Sequence, residues 1–232
     1  MFGRNKVAMV VAEFFGTFCL AGVILAMLGR TSFPFFQAAA AGATFGLMLL
    51  ILGAVSGAHI NPALTVAFWS VRKLQTTKAV VFIAAQLLGG LAAWRMSEYL
   101  LGTPIKSIAG DEFIWRILIA EALGAFVFAF GVAAAVYQGY RGLRLAVTAG
   151  TSLSVGMILA TFAGNGLINP AVAITVQSWS IAYAVGPVVG AVLGMNLYGW
   201  LLGSGPSSSR FAVAKGTRQN KKSVKSTTKK RT

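Results

Sequence analysis

The tripeptide Asn-Pro-Ala occurs twice in the chain, at Asn61-Pro62-Ala63 and at Asn169-Pro170-Ala171. The two asparagines are 108 positions apart. A second motif keeps the same offset: Ala12-Glu13-Phe14-Phe15-Gly16-Thr17-Phe18 returns as Ala120-Glu121-Ala122-Leu123-Gly124-Ala125-Phe126, with Glu13 and Glu121 again 108 apart. A lone Asn-Pro is an ordinary turn signal. Two motifs in one register mark an internal duplication, and this constrains the fold more than any other feature.

Hydrophobic residues make up 56% of the 232 positions, and the chain has only five carboxylates. That is too apolar for a soluble domain and points to a membrane protein. One cysteine and one histidine exclude a disulfide framework and a metal site built on several Cys and His ligands. Spanning a bilayer takes about 20 mostly apolar residues. Six stretches meet this, at about 7–29, 35–55, 79–101, 117–137, 145–163 and 181–202. The first is too long for a signal-peptide core and reads as a retained span. Two further apolar segments, about 62–70 and 170–179, are too short to span. Each opens with Asn then Pro, an N-cap followed by a first helical residue. They read as half-helices that stop near mid-membrane.

Each repeat then holds three spans and one half-helix. Three is odd, so the second copy enters from the opposite side. The expected fold is an all-α membrane protein with six transmembrane helices and two re-entrant half-helices in an inverted internal repeat. A channel domain should occupy 1–203, with repeat one at about 7–101 and repeat two at about 115–203. Segment 204–232 reads as a disordered basic cytoplasmic tail, able to contact anionic lipid or simply to stay solvated. Sixteen of the twenty Lys and Arg residues, nine of them from Arg210 onward, fall on one side of this topology. The positive-inside rule places both termini in the cytoplasm, and the cell membrane is the default location.

An ionisable group inside a bilayer is costly and needs a purpose. Glu13 and Glu121 could carry protons or cations, or accept from the irregular backbone at 56–60 and 164–168 that precedes each half-helix. The repeat favours the loop-supporting role. The half-helices point their N-termini at each other, and each end carries about half a positive charge. Cations and protons are disfavoured between them. Asn61 and Asn169 sit at the tips, with amide N–H groups available to a passing oxygen. These features describe a pore for neutral solutes. No nucleophile–base pair is present, so no enzymatic activity and no cofactor are expected. A secondary transporter and a non-conducting homologue remain as alternatives.

The residues 56–65, Ser-Gly-Ala-His-Ile-Asn-Pro-Ala-Leu-Thr, resemble the first pore loop of the aquaporin, or major intrinsic protein, family. Gly166 to Ala171 resemble the second, and Glu13 with Gly16, Gln86 to Gly90 and Gly186 to Ala191 match the family's marks on spans one, three and six. The resemblance covers about 7–203. It implies a homotetramer with one pore per subunit, passing water and small neutral solutes such as glycerol or ammonia within the lipid bilayer, with no nucleic-acid partner. It also implies a selectivity filter at Ala41, Met157, Gly166 and Val172. Val172 stands where the family usually has arginine, and Ala41 where water channels have a bulky aromatic. The expected filter is apolar and wide unless Phe45 or Phe162 turns in. His59 is either structural or pore-lining.

Overall fold

The computed structural model describes residues 4–28, 34–108, 112–178 and 180–203. The proposed tail at 204–232 lies outside the described residues. Among those described, the regular elements are α1 (Arg4–Met27), α2 (Pro34–Leu52), α3 (Pro62–Ser70), α4 (Thr76–Leu101), α5 (Trp115–Tyr137), α6 (Gly142–Ala160), α7 (Pro170–Thr175) and α8 (Ile181–Leu201). Six of them, all but α3 and α7, are 19 to 26 residues long and apolar enough to cross a membrane. The fold is therefore the expected all-helical, six-span architecture.

Helix ends depart from the hydropathy bounds in both directions. Helices α1 and α4 begin three residues earlier than the apolar runs, at Arg4 and Thr76, because helical backbone continues through polar residues whose long side chains can lie back along the apolar surface, as Lys78 does over the Phe82 ring. Helices α2 and α6 stop three residues early, at Leu52 and Ala160, where the chain turns towards each half-helix.

The second half-helix is six residues long rather than ten. Both half-helices end in the same capping motif. The Arg72 N–H donates to Trp69 O and Lys73 N–H to Phe68 O; Gln177 N–H donates to Ile174 O and Ser178 N–H to Ala173 O. Arg72 (φ 58°) and Gln177 (φ 56°) take the left-handed conformation that such a cap needs. Neither is glycine, so nothing in composition marks these ends.

Helix packing respects the duplication throughout. Exchanging the repeats turns α1·α4 into α5·α8, α3·α8 into α7·α4 and α1·α7 into α5·α3, and each of these contacts exists. The contacts α2·α6 and α3·α7 map onto themselves and so mark the pseudo-two-fold axis. Small residues set these distances. Gly42 of α2 and Gly150 of α6, repeat mates, pack backbone to backbone. Gly186, Gly190 and Gly194 of α8 lie against the carbonyls of Leu118, Ala122 and Phe126 on α5. Near the end of α4, Arg95 and Glu98, three residues apart on one helix face, pair at 3.1 Å.

Candidate functional site

Asn61 and Asn169 are the N-caps of α3 and α7, each with extended backbone and proline as the next residue. Asn61 Oδ1 accepts from the N–H groups of Ala63 (2.8 Å) and Leu64 (3.4 Å). Asn169 Oδ1 accepts from those of Ala171 (3.0 Å) and Val172 (3.5 Å). The amide nitrogens reach across the axis. Asn61 Nδ2 donates to Ile168 O (3.0 Å) and Asn169 Nδ2 to Ile60 O (3.1 Å). The sequence left both amides free for a solute. The structure uses one N–H of each to join the two loops, and each amide keeps a second N–H. Pro62 and Pro170, which follow them, occupy first helical positions where no intrahelical donor is needed. Ala63 and Ala171 are buried where the half-helices begin.

The loops that deliver these asparagines are strained. Ala58 (φ 48°), Ile60 (φ 41°) and Ile168 (φ 37°) all have positive φ, which is unfavourable for a β-branched residue. Two buried glutamates face them. Glu13 Oε1 accepts from Ser56 Oγ (2.6 Å) and His59 N–H (3.0 Å), and Oε2 from Ile60 N–H (2.8 Å) and Gln86 Nε2 (2.7 Å). Glu121 accepts from Leu167 N–H (3.1 Å) and Ile168 N–H (2.6 Å). The Glu-x-x-Gly spacing explains the local design, since residues three apart share a helix face. The glutamate supplies acceptors and the glycine makes room: a Cβ on Gly124 would stand 2.9 Å from Ile168 Cγ2, and one on Gly16 would stand 2.5 Å from Ile60 Cγ2.

Gln86, on α4, was not singled out for this role by the sequence. It is fully buried and also donates to Thr65 Oγ1 (2.9 Å) on α3. The available signal was a glutamine inside an otherwise apolar span. Its repeat mate is Gly194, so the first loop has a fixing point that the second lacks.

Ala41, Met157, Gly166 and Val172 are all buried, and the backbone of Gly166 (φ 66°) sits directly against Met157 O. Phe162 is 80% exposed and does not turn in, whereas Phe45 is 1% exposed and lies inside. The connection after α4 folds onto the end of α7. Gln177 Nε2 donates to Ile105 O (2.8 Å), and Asn165 Nδ2 to Ile108 O (3.2 Å) and Tyr183 Oη (2.7 Å). The ties to Ile105 and Ile108 were not legible in the sequence, because their acceptors are backbone carbonyls of a distant loop. His59 stacks on Phe68 (4.5 Å between centroids) and meets Phe82 edge-on (5.7 Å). Its Nδ1 is buried with no hydrogen-bond partner among the described residues.

Comparison with known proteins places this geometry. The model of the major intrinsic protein family matches residues 3–198. Aquaporin AqpM of Methanothermobacter thermautotrophicus is 30% identical over 187 residues, 70% of this chain and 76% of its own. The lens fiber major intrinsic protein of Lithobates pipiens is 30% identical over 235 residues, covering 90% of this chain and 87% of its own. Among solved structures, the aquaglyceroporin from Plasmodium falciparum superposes with a TM-score of 0.67 at 18% identity, over 89% of this chain and 99% of its own, a likeness of fold. A duplicated Asn-Pro-Ala pair joined tip to tip within six spans, together with these matches, means that the chain belongs to the major intrinsic protein family.

Proposed function

We propose that each subunit conducts water passively past the Asn61 and Asn169 tips, with small uncharged solutes such as glycerol or ammonia as slower passengers. The observation that carries this reading is the reciprocal hydrogen bonding of the two tips, which fixes both N-termini at one level. Their dipoles disfavour protons and cations there. The remaining N–H of each amide offers a passing oxygen a donor with no acceptor beside it, which breaks a proton-conducting chain of waters. Ala41, Met157, Gly166 and Val172 form the apolar filter, and His59 is a lining candidate on the other side of the tips. A wider, aquaglyceroporin-like range is the second reading, favoured by valine rather than arginine at position 172. A transporter role for Glu13 and Glu121 is disfavoured, because loop donors occupy the carboxylate oxygens that a travelling cation would need.

The same reading takes 1–203 as the channel domain, a homotetramer as the assembly, and the cell membrane as the location, with both termini and the basic tail in the cytoplasm. Stopped-flow light scattering of proteoliposomes tests it. Shrinkage in sucrose is expected to be several-fold faster than for empty vesicles, with slower re-swelling in glycerol and no proton leak. Shrinkage no faster than empty vesicles would reject water conduction.

A further inference from the structure

Helix α2 packs on α1 and α6, while α5 packs on α3, α6 and α8; α2 and α5 share no packed face among the described residues. Yet two of their side chains touch. The rings of Phe45 on α2 and Phe128 on α5 have centroids 5.3 Å apart and planes at 82°, an edge-to-face contact. Each residue is 1% exposed. Because α6 separates the two backbones, the rings meet in the space that the helices enclose and not along a helix seam.

The duplication shows what this space is. Phe45 has Leu153 of α6 as its repeat mate, and Phe128 has Leu20 of α1. Leu20 and Leu153 are equally buried. The pseudo-two-fold axis passes through the Gly42–Gly150 contact on one side and between the asparagine tips on the other. Leu20 and Phe128 lie one turn beyond Gly16 and Gly124, the glycines that seat Ile60 and Ile168 immediately before those asparagines. Four large apolar residues from α1, α2, α5 and α6 thus belong to one buried cluster with Ile60 and Ile168, the residues that immediately precede the tips.

We propose that Phe45 and Phe128, completed by Leu20 and Leu153, form an apolar collar that is the narrowest point of the conduit and sets the size of the neutral solute admitted. The proposal rests on the channel reading above. Ala41 leaves its own level without an aromatic, and Phe45 supplies one a turn further along the same face, about 6 Å deeper. The collar has no hydrogen-bonding group. Water can pass in single file by bonding to the asparagine amides on the opposite wall. A bulkier solute must part the two rings, and a hydrated ion loses its shell against an apolar constriction.

Constrictions in series are limited by the tightest, which gives the test. Proteoliposomes are prepared with the parent, with Phe45→Leu plus Phe128→Leu, and with Phe45→Ala plus Phe128→Ala. Folding is checked by circular dichroism and by particle size in detergent. The leucine pair guards against loss of folding in the alanine pair, since it reproduces the residues already present at the two repeat mates. Relative to the parent, the paired variants are expected to raise glycerol permeability about tenfold, a barrier change of about 1.4 kcal/mol. Unchanged glycerol flux in both folded pairs would overturn the proposal and put the limiting point outside the collar. Folded parent and variants that all shrink like empty vesicles in sucrose would instead reject the channel reading beneath it.

Discussion

Vesicles carrying Glu13→Leu are expected to shrink no faster than protein-free vesicles, and the purified variant to melt well below the parent. The Glu13 carboxylate takes four donors: Ser56 Oγ, the His59 and Ile60 N–H groups, and Gln86 Nε2. Gln86 Nε2 keeps Thr65 Oγ1 as an acceptor, and the Ser56 hydroxyl, which accepts from the Ala58 N–H, can rotate to a new acceptor, but the two backbone donors lose the oxygens they donate to. A buried donor left unpaired costs about 1–3 kcal/mol, so two cost about 2–6 kcal/mol. The loop they belong to is already strained at Ala58 and Ile60, and without the carboxylate it has no reason to hold Asn61 at the axis. Glu121→Leu removes two loop donors' acceptors and no side-chain link to a neighbouring helix, so its loss should be smaller. Thermal melts in detergent, followed by tryptophan fluorescence, give the order parent, Glu121→Leu, Glu13→Leu. Full water flux in Glu13→Leu would show that the carboxylate does not hold its loop, and a lower melting point for Glu121→Leu that the additional donors on Glu13 add nothing.

Gly190→Leu is expected to abolish assembly of the bundle. A Cβ at Gly190 would collide with the carbonyl, Cα and carbonyl carbon of Ala122 on α5, all backbone atoms that cannot turn aside. The helices α5 and α8 would have to separate, and the shift would pass to Gly186 and Gly194, which touch the same helix one turn either way. Overpacking a well-packed contact costs about 1–3 kcal/mol when side chains can yield, and here only backbone is available to do so. Gly22→Ala supplies the contrast. No atom lies within 4 Å of a Cβ placed there. Replacing a mid-helix glycine in open space should stabilise by about 0.5–1 kcal/mol. Expression in membranes and monodispersity on size exclusion separate the two. A well-behaved Gly190→Leu would mean that close backbone approach does not set the α5·α8 distance, and a destabilised Gly22→Ala that the space beside α1 is filled in the assembled protein.

The amino-acid sequence by itself determined the number of spans, the two half-helices, their inverted relation and the pairing of Glu13 with Glu121. The reason is physical: a bilayer leaves the backbone few options, so length, apolarity and a repeated offset are close to sufficient. The residues at the tips were legible for the same reason, since Asn then Pro is a local capping signal. What only the tertiary structure decided was everything that depends on partners distant in sequence. The asparagine amides bond across the axis to Ile60 and Ile168, Gln86 reinforces one loop and not the other, and α7 stops at Thr175 because Gln177 takes a left-handed turn. Phe45 and Phe128 are 83 positions apart on helices that do not pack together, and no periodicity in the chain brings their rings into contact. Local patterns fix which segments cross the membrane. The bore between them is fixed by side chains that meet only once all the spans are in place.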